Sequence, residues 1–105
     1  MDRTIAGIMS FWKEIGLYRT GNVNKQLAKV REEFTEVTKA FCLYMIKADE
    51  KRRANLQKEI GDLFISLLNF CEILGFDIEE CAILSHEKNE KRNYYMVEDE
   101  CVRDK

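Results

Sequence analysis

The sequence predicts an all-α fold, a four-helix bundle completed by pairing with a second copy of the chain. Three observations carry this expectation. Apolar residues recur at i, i+3 and i+4 over long stretches, as amphipathic helices require. No proline interrupts the chain, and Gly16 and Gly75 fall where two of the stretches end. A chain of 105 residues makes one domain whose surface is large for its core, so a second subunit is expected to cover apolar area.

The first helix is expected from Arg3 to Ile15, on the spacing of Ile5, Ile8, Trp12 and Ile15. Thr20-Gly21-Asn22 marks a loop over Tyr18 to Asn24, with Asn24 as the cap of a second helix running to Lys47. In that helix Leu27, Val30, Phe34, Val37, Phe41 and Tyr44 form one apolar stripe. The charged segment Ala48 to Arg53 reads as a polar connection or a helical extension. The third helix spans Asn55 to Leu74. Asp77 caps a fourth, reaching Arg92, with Glu80 placed for a capping box. Residues 1–93 thus form the all-α domain and 94–105 a C-terminal tail or small hairpin.

Composition excludes several classes. Lys and Arg number 17 against 19 Asp and Glu, so there is no basic excess for nucleic acid. A hydrophobic share of 46% excludes a disordered chain. No apolar run spans a membrane, and the N-terminal residues lack a signal-peptide core. Cys42, Cys71, Cys81 and Cys101 form no CxxC pair, and His86 is the single histidine, which argues against zinc. The cysteines read as reduced, mostly buried thiols of a cytoplasmic protein.

The third helix carries the functional signal. Its apolar residues, from Leu56 and Ile60 to Cys71 and Leu74, cover most of its circumference, which predicts burial. Yet at about 100° per residue Glu59, Asp62, Ser66 and Asn69 fall on one narrow line. Carboxylates on a buried helix are costly unless paired or bound to metal. The second helix offers the other half: Glu33 and Glu36 share a side with Gln26, Lys29 and Ala40, whereas Glu32 points away from the stripe. If these two helices pack antiparallel, Glu33 and Glu36 face Glu59 and Asp62. Four converging carboxylates call for a hard divalent ion such as Mg²⁺, with Mn²⁺ as substitute. A di-iron bundle needs two Glu-x-x-His units, which one histidine cannot supply. On the fourth helix Lys88 and Arg92 stand at i, i+4 beside Asn89, a donor set suited to polyphosphate.

These residues resemble the MazG-like all-α nucleoside triphosphate pyrophosphohydrolases, whose signature is EExxE, a spacer, then ExxD. Here it reads Glu32-Glu33-Phe34-Thr35-Glu36 and Glu59-Ile60-Gly61-Asp62. Trp12, Gly16-Leu17, Gln26 and Lys29 before it, and Ala40 in its spacer, are similar to the family pattern. So are Gly75-Phe76-Asp77, Lys88 through Arg92, and Met96-Val97 after it. The resemblance implies that Glu33, Glu36, Glu59 and Asp62 hold Mg²⁺, and that a (deoxy)nucleoside triphosphate is hydrolysed to the monophosphate and pyrophosphate. It implies phosphate contacts from Lys88, Asn89 and Arg92, joined by Lys29, and a water-orienting role for Glu32. Trp12 is the candidate for stacking on a base, against ordinary core packing on the first helix, with Gln26, Ser66 and Asn69 around the nucleoside; the other reading of Asn69 is a buried hydrogen bond between helices. Ser66 stands where some members carry a tyrosine near the sugar, which leaves sugar and base selectivity open. The expected partners are the nucleotide and a second or further copies of the chain, as homodimer or homotetramer, with no nucleic acid and no membrane. The rival reading is a non-catalytic helical interaction or nucleotide-sensing module. As an adaptor it expects lysine partners for Glu59 and Asp62.

Overall fold

Helix-capping side chains and two left-handed glycines set the element boundaries. The computed structural model describes residues 3–104, which group into two compact units, one ending at Gly75 and the other starting at Phe76.

In the first unit, α1 (Ile5–Ile15) starts at Thr4, whose hydroxyl oxygen accepts the Gly7 N–H at 3.1 Å. It stops at Gly16, whose φ of 98° only glycine adopts cheaply. The chain does not then loop, as the sequence suggested, but turns once more as α2 (Leu17–Thr20). Four residues are too few to show helical periodicity. Next comes α3 (Val23–Ile46), capped by Asn22 rather than Asn24: the Asn22 Oδ1 accepts the N–H groups of Asn24 and Lys25. After the connector Lys47–Asp49, α4 (Glu50–Leu74) is capped by Asp49, which accepts the Arg52 N–H at 2.8 Å. The charged segment is therefore mostly the first turn of α4, five residues ahead of the expected start at Asn55.

The short connector makes α3 and α4 an antiparallel hairpin, packed along their length. Gln26, near the start of α3, accordingly bonds to Ser66, in the later half of α4. The buried residues are Ala40 of α3 and Ser66, Leu68, Asn69 and Cys71 of α4. Burial of α4 is thus concentrated in its second half, and the expectation of a helix buried throughout does not hold for this single chain. Nor are most of the thiols buried: Cys71 is, while Cys42, Cys81 and Cys101 are exposed, and none of the four forms a disulfide.

The hairpin has two unlike sides. At 100° per residue, Phe34 and Phe41 fall to one side of the line Gln26, Glu33, Val37, Ala40 that meets α4. Ile60, Phe64 and Leu67 fall to the same hand of the α4 line that meets α3. Antiparallel helices are related by a two-fold axis normal to their plane, so both sets lie on one side of the pair. These five side chains are between 40 and 62% exposed, which leaves a broad apolar face uncovered. Lys29, Asp62 and Asn69 fall to the opposite hand.

In the second unit, α5 (Ile78–Glu90) is capped by Asp77 through the Glu79 N–H at 2.9 Å and ends two residues short of the expected Arg92. The strands β1 (Tyr94–Val97) and β2 (Glu100–Arg103) pair antiparallel, with Met96 opposite Cys101. Their turn places Glu98 and Asp99 at positive φ, a conformation that hairpins usually assign to Asn-Gly. Among the described residues no helix is long and apolar enough to cross a membrane.

Candidate functional site

The antiparallel hairpin sets Glu33 of α3 across from Glu59 and Asp62 of α4. One carboxylate oxygen from each comes within 4.8 Å of the other two. Glu33 and Glu59 are half-buried and Asp62 is exposed, so the group lies at the rim of the helix interface rather than inside it. Glu36 stands outside this group: its carboxylate is half-exposed and turned to Lys39, 3.5 Å away. Glu32 is exposed and also outside, in keeping with its direction on the helical wheel.

The three-carboxylate group fits a hard cation. All its donors are oxygens, with no histidine or cysteine to favour zinc or copper. Six oxygens at about 2.1 Å from Mg²⁺ stand up to roughly 4.2 Å apart, so small side-chain rotations would bring the three onto one ion. Lys29 provides the local positive charge, with its Nζ 3.1 Å from the Glu33 carboxylate, one turn away on α3. That hydrogen bond, and then the Glu33 charge itself, raise the Lys29 pKa above its usual value, with smaller help from Glu32 and Asp62. Glu59 and Asp62, by contrast, form no ion pair among the described residues. The adaptor reading expected them to.

A cleft of about 410 Å³ opens beside this group, with Lys29, Glu33 and Asp62 in its wall. Trp12, Gln26, Ser66 and Asn69, the residues singled out from the sequence for the nucleoside, line the same cleft. Trp12 stands edge-on to Phe11, with ring centroids 5.2 Å apart, and also borders a neighbouring apolar cleft of about 560 Å³. Gln26 donates from Nε2 to the Ser66 carbonyl at 2.9 Å, and the Ser66 hydroxyl donates to the Leu63 carbonyl at 2.8 Å. These bonds fix both side chains in the wall. Lys88, Asn89 and Arg92 belong to the second unit. There Asn89 Oδ1 accepts the Tyr94 hydroxyl at 2.9 Å, and Lys88 lies in the last turn of α5.

Sequence reasoning missed Tyr18. Its hydroxyl donates to Asn69 Oδ1 at 2.7 Å, joining α2 to the buried second half of α4. Burial, and then the nearby Glu72 charge, raise its pKa, so it remains a phenol at neutral pH. The signal was present in the glycines at 16 and 21, which bracket a single turn. Gly21 is needed there because a side chain would run into the Leu17 carbonyl and come within 3.0 Å of Ile73 of α4.

Residues 22–97 of the chain match the MazG nucleotide pyrophosphohydrolase domain. No curated protein and no solved structure matches the chain.

Proposed function

The chain belongs to the MazG nucleotide pyrophosphohydrolase domain family, and on that footing we propose that it hydrolyses a (deoxy)nucleoside triphosphate to the monophosphate and pyrophosphate, with Mg²⁺ as cofactor. The observation that carries the reading is the junction of the three-carboxylate group with a cleft lined by Trp12, Gln26, Ser66 and Asn69. Glu33, Glu59 and Asp62 hold the cation, and Glu36, one turn along α3, completes the set by turning from Lys39. Bound there, Mg²⁺ would offset the charge that builds on the leaving pyrophosphate. Lys29 binds a phosphate oxygen once it exchanges its contact with Glu33. Water adds to phosphorus, the bond to the pyrophosphate oxygen breaks, and the water proton passes to a carboxylate oxygen of the acidic group. Glu32, exposed beside the group, assists by orienting water. The phosphate roles of Lys88, Asn89 and Arg92 rest on the family resemblance.

The partner we propose is a second copy of the chain, on the apolar face formed by Phe34, Phe41, Ile60, Phe64 and Leu67. Face-to-face pairing of two such hairpins gives a four-helix bundle and leaves the acidic side of each open to solvent. We further propose a cytoplasmic location, where the exposed thiols stay reduced.

Calorimetric titration of the protein with Mg²⁺ and Mn²⁺, native and with Asp62→Asn, tests the metal centre. Saturable binding at millimolar metal or below, weakened at least tenfold by the substitution, is the expected result; no binding by the native protein would overturn it.

A further inference from the structure

Asn69 lies seven residues beyond Asp62 on α4, which is roughly 10 Å of helix rise away from the acidic group. It is buried at 3% exposure and still lines the cleft. Its carbonyl oxygen is taken by the Tyr18 hydroxyl at 2.7 Å. With the Tyr18 hydroxyl donating to it, the Asn69 amide oxygen lies on the Tyr18 side and its NH₂ on the other. Among the described residues that NH₂ has no partner, and no polar side-chain atom is both sealed and unpaired. The NH₂ therefore opens on the cleft. Nearer the acidic group there are acceptors. Gln26 uses one N–H on the Ser66 carbonyl and Ser66 its proton on the Leu63 carbonyl, which leaves the Gln26 Oε1 and the Ser66 Oγ to accept.

A nucleotide with its phosphates at the acidic group would place its sugar hydroxyls, which donate, beside those acceptors. The base edge farthest from the phosphates would then reach Asn69. That edge carries the 4-substituent of a pyrimidine or the 6-substituent of a purine. An oxo group there accepts from Asn69, whereas an amino group meets it donor to donor and loses its hydrogen bond to water. We propose that Tyr18 holds Asn69 as a fixed donor, so that the cleft selects oxo bases (uracil, thymine, guanine) over amino bases (cytosine, adenine). Tyr18 is thus a positioning residue and Asn69 the residue that reads the base. This rests on the nucleotide reading of the cleft, but not on turnover.

The test is the dissociation constant, with Mg²⁺, of α,β-imido triphosphates in matched pairs, uridine against cytidine and guanosine against adenosine. Pyrophosphate release from the ordinary nucleotides is measured alongside. The native protein should favour the oxo member of each pair about tenfold. Asn69→Asp, which replaces the donor by an acceptor of the same shape, should reverse the order. Tyr18→Phe should bring the ratio towards one, with the phosphate-driven part of binding retained. Equal affinities, or a preference for the amino members, in the native protein would overturn the proposal without any variant. An unchanged ratio in folded Asn69→Asp would do the same. Selective binding without pyrophosphate release would uphold the inference and defeat the hydrolase reading; release without selectivity would do the opposite.

Discussion

Alanine at Gly21 and alanine at Gly61 should move stability in opposite directions, although the chemical change is the same. At Gly21 the added methyl overlaps the Leu17 carbonyl oxygen and lies 3.0 Å from the Cδ1 atoms of Ile73 and Leu17. The leucine and isoleucine tips can rotate away. The carbonyl cannot, because it accepts the Gly21 N–H at 2.7 Å and so closes α2. Overpacking of this kind costs about 1–3 kcal/mol. The loss of unfolded-chain freedom returns about 0.4–1 kcal/mol, leaving a net loss of about 1–2 kcal/mol. At Gly61, inside α4, a methyl meets nothing within 4 Å, and helix propensity favours alanine by about 0.5–1 kcal/mol. Urea unfolding of native, Gly21→Ala and Gly61→Ala protein at one fixed concentration reads both signs, provided the m-values agree. A Gly21→Ala midpoint at or above the native one would refute the reasoning, since it would mean that the turn closing α2 yields to the added methyl. A fall at Gly61→Ala would show that something outside this chain approaches α4 closely there.

Phe64→Glu should halve the mass seen by sedimentation velocity, because a charge cannot be buried at the centre of the proposed dimer face; a native protein that is already monomeric would remove that face as an interface. Lys29→Met keeps helix propensity but removes the cation, so the nucleotide KM should rise about five- to twentyfold with little change in urea midpoint. A KM within twofold of native would take Lys29 out of the phosphate role. Tyr18 and Lys29 both have raised pKa values, so what each adds to stability is complete below its unfolded value, 10.0 or 10.5, and is lost as pH climbs through the folded one. Stability should therefore fall on the alkaline side, and tyrosinate absorbance should show a late component that Tyr18→Phe lacks.

Periodicity made the long helices legible, and glycine made two of their ends so. It could not place the starts of α3 and α4, because Asn22 and Asp49 sit among other polar residues that cap equally well on paper. It could not see α2 at all. The acidic group was readable because helical spacing and an antiparallel hairpin together bring Glu33 to Glu59 and Asp62. Glu36 shows the limit of that reasoning: its backbone position is on the right side, but its side chain pairs with Lys39. Cys81 and Cys101 are exposed on α5 and β2, outside the hairpin, and α4 is buried over its second half only, because the apolar surface the sequence shows is more than one chain covers. Much of it forms the uncovered face of the hairpin instead. Tyr18 was missed because its partner, Asn69, is 51 residues away and no local pattern links them.

Whether the acidic group hydrolyses nucleotides is decided by pyrophosphate release from a panel of ribo- and deoxynucleoside triphosphates, with Mg²⁺ or with EDTA, for the native protein and for Glu59→Gln. Release should require Mg²⁺, be suppressed by EDTA and fall by at least a hundredfold in a folded Glu59→Gln protein. Release that persists in EDTA, or that Glu59→Gln leaves intact, would contradict hydrolysis by that group, as would silence from the native protein across the whole panel.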